Sequence, residues 1–178
     1  MRRRGKARWA EKTPEYTLIL DFIDELFPDA RYIHVIRDGR DVVASFRERW
    51  GYLAAIRVAR GVWVRHVRAA RDFGRRVARE RYTEIRYERL VAEPERVLRE
   101  LFRFLDEPWD PVVLSWNELH HDTTDHYAGF TAARRAAGGD RAAIYRSRVG
   151  TGGSSLDPLL RAVMRRRSWS LMRELGYA

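Results

Sequence analysis

The chain has 178 residues and a mass of 21.0 kDa, enough for one domain with a core of its own and too little for two full ones. Its 45% hydrophobic and 12% aromatic content excludes a disordered chain, and the absence of Cys excludes a disulfide framework or a thiolate metal centre. The formal charge of +10 favours a polyanionic partner, whether nucleic acid, an acidic membrane surface or a multiply charged nucleotide, although an Arg-rich excess also reflects genome composition.

Residues 1–10 read as a solvated basic lead-in, with no apolar stretch of the kind a signal peptide needs. No run in the chain is apolar for long enough to span a bilayer, so the expected location is the cytoplasm. Thr13 and Pro14 read as the cap and first turn of a helix whose apolar face is Tyr16, Ile19, Leu20, Ile23, Leu26 and Phe27, ended by Phe27-Pro28-Asp29. YIHVI at 32–36 predicts a short strand covered on both faces in a parallel sheet.

The strand stops at Arg37, Asp38 and Gly39 supply a turn and a helix cap, and DVVASF continues at helical spacing. That geometry puts Arg37 at the carboxyl end of a strand, where open α/β sheets bind ligands. Ser45 follows in the early turns of the helix. A guanidinium fork, a hydroxyl and the positive end of a helix dipole together suit a phosphate dianion. The alternative is that Arg37 pairs with Asp38 or Asp41 and Ser45 only packs.

From Val58 to Arg81 the pattern predicts a long Arg-rich amphipathic helix with Val58, Val62, Trp63, Val67, Ala70, Phe73 and Val77 inward. Its arginines read as a solvated face, because no set of base-contacting residues stands out to make a nucleic-acid interface. Tyr82 to Tyr87 returns to strand character. Glu93-Pro94 then opens a helix with Val97, Leu98, Leu101, Phe102 and Leu105 buried, stopped by Asp106-Glu107-Pro108.

Residues 109–143 show no stable period, and His120, His121 and His126 lack a recognised ligand spacing, so no metal is expected. Arg146 to Ser155 is a Gly- and Ser-rich loop able to bring backbone amides close to an anion. Asp157 and Pro158 cap a last helix with Leu159, Leu160, Val163, Met164, Leu171, Met172 and Leu175 inward. The order of elements predicts an α/β fold with a parallel sheet.

IHVIRDGRDVVASF resembles the 3′-phosphate-binding segment of the sulfotransferases that use 3′-phosphoadenosine 5′-phosphosulfate (PAPS). EKTPEYTLILDFIDELFPDA is similar to the segment leading into it in bacterial members, and RYERLVAEPERVLRELFRFLDEPWDP is similar to their Tyr-Glu-x-Leu segment and following helix. The resemblance spans most of the chain. It implies a single sulfotransferase-like domain over residues 1–178, α/β, with a P-loop-NTPase-like parallel sheet flanked by helices.

What the resemblance implies for the site follows residue by residue. Arg37 and Ser45 would hold the 3′-phosphate, and Lys12 would contact the sulfuryl group and stabilise the bridging oxygen as it leaves. Tyr87 would lie against the adenine. An Arg-x-Gly loop before the last helix, matched by Arg148 and Gly150 with Arg146 as a second candidate, would close over the same phosphate. The plainer readings are that Lys12 is an exposed lysine near a helix start and Tyr87 a core tyrosine at a strand end. PAPS is the implied co-substrate, without a metal, and the acceptor is a hydroxyl or amine on a small molecule, glycan or peptide.

The sequence departs from the family pattern at its start, where no strand and Pro-Arg-Ser-Gly-Thr type loop precede Lys12. The expectation is therefore an N-terminally incomplete sulfotransferase domain, or the carboxyl-terminal portion of one, with little transfer activity alone. The alternative is a catalytically inactive remnant that binds a nucleotide or polyanion. The general base stays open: Pro14 stands where some members place a His, and Glu11 and Glu15 are nearby carboxylates.

Overall fold

The strand expected at 32–36 forms as β1 (Tyr32–Ile36) and pairs in parallel with β2 (Tyr82–Arg86) in a computed structural model that describes residues 8–118 and 149–178. Parallel neighbours need a crossover. Here it consists of α2 (Gly39–Trp50), α3 (Tyr52–Arg57), a π-turn at Val58–Val62 and α4 (Trp63–Arg76). The register runs from Tyr32 opposite Tyr82 to Ile36 opposite Arg86, so Arg37 and Tyr87 leave the sheet side by side at its carboxyl end.

The core lies where the crossover meets the last helix. Ile36, Val43, Ala55, Ala59, Trp63 and Val67 pack with Leu156, Leu160, Met164, Leu171 and Met172, the latter group carried by α8 (Pro158–Glu174) and by the residue that follows the short helical turn α7 (Gly152–Ser155). Asp157 caps α8 as expected, its carboxylate accepting the Leu160 N–H at 3.0 Å, and that bond holds the carboxyl below its ordinary range. Leu159 departs from its expected inward position and is exposed, because it sits in the first turn on the side away from the core.

Three further expectations are corrected. β1 is not covered on both faces: Ile36 is buried, but Ile33 and Val35 are 38% and 50% exposed, because the described helices pack on the Ile36 side. The helix expected from Pro14 is a 3-10 turn (Pro14–Leu18) followed by a seven-residue α1 (Leu20–Leu26), with Ile19 between them at φ −132° and ψ 25°. That break rotates the apolar stripe, and Tyr16, Ile19, Leu26 and Phe27 end up exposed. The Val58–Arg81 helix is interrupted at Gly61, whose φ of 135° only glycine adopts readily, and it ends at Arg76; Val62 turns outward as a result.

After β2, α5 (Tyr87–Ala92) and α6 (Pro94–Leu105) form, the second burying Val97 and Leu101. Asp106 stops it in the left-handed region at φ 57°, with the Glu107 N–H returning to the Phe102 carbonyl at 2.9 Å.

A polar ladder crosses the strand pair. His34 Nδ1 lies 2.8 Å from the Tyr82 hydroxyl, which donates to Glu84 Oε1 at 3.0 Å, so Nδ1 carries the proton and the Tyr82 oxygen accepts it. Burial lowers the His34 pKa against the opposing pull of Glu84, so the 3.7 Å approach of Glu84 is a contact with a neutral ring at pH 7. Among the described residues, no helix is long and apolar enough to cross a membrane.

Candidate functional site

Arg37 is the first residue beyond β1, and its neighbours there include Trp63, Tyr87 and Asp41. Its carbonyl accepts the Trp63 Nε1–H at 3.2 Å, its guanidinium carbon stands 4.7 Å from the centroid of the Tyr87 ring, and one terminal nitrogen lies 3.5 Å from Asp41 Oδ2. The Arg37 side chain is 18% exposed, mostly buried but reaching solvent in part. A guanidinium carries five N–H donors in a planar fork that matches the oxygens of a carboxylate or phosphate.

The turn after Arg37 is built by short-range chemistry. Asp38 caps α2 by accepting the Arg40 N–H at 2.8 Å, and its carboxylate also pairs with the Arg40 guanidinium at 2.6 Å. The Asp38 N–H donates to Glu88 Oε1 at 2.8 Å, and Glu88 Oε2 accepts the Tyr177 hydroxyl at 2.9 Å. Arg40 reaches the Tyr177 carbonyl at 2.8 Å, and Arg86 lies over the Tyr177 ring at 4.9 Å. Burial raises the pKa of Tyr177, so its hydroxyl stays a donor. One carboxylate, Glu88, therefore joins the β1 exit, the start of α5 and the end of the chain.

Asp41 lies four residues after Arg37 on α2 and is 1% exposed. Its Oδ2 accepts the Gly150 N–H at 2.9 Å and its Oδ1 accepts the Gly152 N–H at 2.7 Å, which brings the Gly-rich loop against the same corner. Ser45 follows Asp41 by one turn on α2 and is half-buried, on the same side of the helix by its four-residue spacing.

The structure thus gathers Arg37, Tyr87 and Gly150 at one corner, with Ser45 on the adjoining helix. Lys12 is exposed on the lead-in to the Pro14–Leu18 turn, which is fixed to α4 where the Thr17 hydroxyl meets His66 Nδ1 at 2.6 Å. Arg146 and Arg148 lie outside the described residues, as do His120, His121 and His126. Of the two aspartates weighed as partners for Arg37, Asp41 is the one it approaches, because Asp38 is committed to Arg40 and the cap. Tyr87 opens α5 rather than ending the strand.

Sequence reasoning missed Trp63, Glu88 and Tyr177 as supports of the corner. Asp41 carried a signal in its four-residue spacing from Arg37, and it entered only as an ion-pair partner. Tyr177 carried none, since its bonds to Arg40 and Glu88 close over 137 and 89 residues.

A model of the sulfotransferase family matches residues 1–111. The chain is 31% identical over 120 residues to a protein-tyrosine sulfotransferase of Drosophila melanogaster, covering 65% of this chain and 23% of that protein. It is 35% identical over 103 residues to protein-tyrosine sulfotransferase A of Caenorhabditis elegans, covering 55% and 27%. Among solved structures, a sulfotransferase domain from the curacin biosynthetic pathway superposes with a TM-score of 0.71 at 25% identity, covering 94% of this chain and 62% of that one. A sulfotransferase domain from the Synechococcus PCC 7002 olefin synthase gives 0.73 at 25% identity, covering 94% and 58%. The chain spans about a quarter of the length of the two curated relatives.

Proposed function

This chain belongs to the sulfotransferase family, and we propose that the carboxyl end of its sheet holds the 3′-phosphate of PAPS for sulfuryl transfer to a hydroxyl or amine acceptor. The carrying observation is the placement of Arg37: it stands where the parallel strands end, against Tyr87 and beside the Gly150 loop. When bound, PAPS supplies an activated sulfuryl group.

The residues present fit that ligand by their donor chemistry. Arg37 offers a charged, planar donor fork to the 3′-phosphate, Ser45 a hydroxyl, and the start of the twelve-residue α2 the positive end of its dipole. Gly150 carries the loop toward the same phosphate, with Arg148 and Arg146 as the cations that loop would add. Tyr87 presents only one ring face or its edge to the adenine, because Arg37 already lies over its ring. Lys12 neutralises negative charge developing on the bridging oxygen, which is electrostatic stabilisation of the transition state rather than acid–base chemistry.

The test is calorimetry with adenosine 3′,5′-bisphosphate and adenosine 5′-monophosphate, which differ by the group Arg37 would contact. The bisphosphate binds more tightly, and Arg37→Ala abolishes the preference at a cost of about 1.5–3 kcal/mol, the usual worth of a hydrogen bond to a charged group. Equal binding of both nucleotides to the unaltered protein would overturn the assignment.

A further inference from the structure

We propose that Asp41 is a positioning residue, a clamp that holds the 150–152 loop against the start of α2 and so sets the spacing between that loop and Arg37. The inference rests on the 3′-phosphate reading above for its ligand-binding consequence, though not for its geometry.

A carboxylate this deeply buried is costly unless its oxygens find donors. Asp41 meets that condition with the loop's own backbone: Oδ1 takes the Gly152 amide at 2.7 Å, Oδ2 takes the Gly150 amide at 2.9 Å, and Arg37 approaches Oδ2 at 3.5 Å. Hydrogen bonds of this kind, with a charged acceptor, are stronger than neutral ones. A single side chain therefore ties the strand exit to a loop more than a hundred residues away in sequence.

Steric fit secures the same contact from the other side. A Cβ on Gly152 would lie 2.2 Å from the Arg40 carbonyl carbon and 2.5 Å from both the Arg40 oxygen and the Asp41 nitrogen, so only glycine lets the loop backbone come this close. Four residues on, Leu156 is sunk in the core and anchors the loop's far end. Gly153, between them, meets nothing within 4 Å where its Cβ would be.

The clamp and simple electrostatics predict opposite signs. Asp41 puts a negative charge beside a proposed anion site, so if charge alone mattered, Asp41→Asn would strengthen phosphate binding. A clamp predicts the reverse, because an amide nitrogen replaces one acceptor and meets a backbone N–H donor to donor. Asp41→Asn and Gly152→Ala each lower the preference for adenosine 3′,5′-bisphosphate over the 5′-monophosphate by on the order of tenfold, while Gly153→Ala keeps it. Hydrogen exchange adds a readout that needs no ligand: the Gly150 and Gly152 amides are protected in the unaltered protein, and Asp41→Asn releases them.

Fast exchange of those two amides in the unaltered protein, or a preference that holds or rises in Asp41→Asn, would overturn the clamp. Arg37→Ala separates the two readings. If that variant keeps the preference, the phosphate assignment fails and the clamp is judged by exchange alone; if it loses the preference while Asp41→Asn does not, the clamp fails and the assignment stands.

Discussion

The corner around Arg37 and the lead-in around Lys12 are held in opposite ways. At the corner, Asp38, Asp41 and Glu88 join the strand exit to a loop and to Tyr177 through bonds that close over 50 to 111 residues, and their elements sit on the core. The lead-in and α1 are fastened nearer the surface: Trp9 lies edge-on to Phe27 at 5.3 Å, Thr17 meets His66, Asp21 pairs with Arg76, and Asp24 pairs with Arg81 and accepts the Tyr32 hydroxyl. Phe22 and Leu26 of α1 stay more than half exposed. Folding of the core therefore places Arg37 almost automatically, whereas Lys12 takes its position from a surface segment that contributes little to the core.

The largest difference between the two regions is expected in stability. Leu160→Ala removes a side chain with no exposure from the core beneath the corner, at a cost of about 2–5 kcal/mol in denaturant unfolding. Leu26→Ala in the lead-in stays within about 0.5 kcal/mol. Comparable losses at both positions would break the contrast.

Function sharpens the comparison next. In a longer form of the domain that includes a phosphosulfate loop, Lys12→Ala lowers sulfate transfer from labelled PAPS by on the order of a hundredfold or more, the usual effect of removing a donor aimed at developing charge. Affinity for adenosine 3′,5′-bisphosphate is unchanged, because the proposed 3′-phosphate site is the corner. A parallel drop in affinity would mean that the lead-in and the corner form one binding unit.

A smaller effect is expected at the cap. Asp38→Ala strips α2 of its N-terminal acceptor and lowers unfolding stability by about 0.5–2 kcal/mol. No change in the unfolding midpoint would show that Glu88 and Arg40 hold the turn without it.

The smallest effect is a pH dependence beneath the corner. Burial depresses the pKa of His34 in the folded chain, with Arg71 and Arg86 acting in the same direction and Glu84 against it. The unfolded chain binds the proton first, so stability from the neutral ring is full above about pH 6.5 and is lost as pH falls below it toward the folded pKa. His34→Gln removes that component of the slope, which urea titrations between pH 7 and 5 measure. An unchanged slope would assign the acid sensitivity to other groups.

The difference between the regions also explains what the sequence disclosed. The strand, turn and helix from Tyr32 to Trp50 were legible because strand propensity, an Asp cap and helical spacing agree there, and the parallel pairing followed from the alternation of elements. The lead-in misled for a local reason: apolar spacing at Tyr16, Ile19, Ile23 and Leu26 looked helical, but the chain changes from a 3-10 turn to an α-helix at Ile19 and carries the stripe off the core. Gly61 was visible in the sequence, yet nothing in the surrounding pattern marked it as a break. The supports of the corner, Glu88, Tyr177 and the 150–152 loop, depend on long-range closure, which periodicity does not encode. The strand-turn-helix reading singled out Arg37 and Ser45, and resemblance added Tyr87 and Gly150; the packing of Arg37, Tyr87 and Gly150 at one corner is a finding of the structure.

The most direct test of the central claim is a crystal structure with adenosine 3′,5′-bisphosphate. The account predicts the 3′-phosphate within hydrogen-bonding distance of the Arg37 guanidinium and the Ser45 hydroxyl, beside the Asp41-bound loop. A 3′-phosphate seated instead on other arginines, such as the recess lined by Ile56, Arg60, Val163, Arg166 and Arg167, with Arg37 untouched, would contradict it.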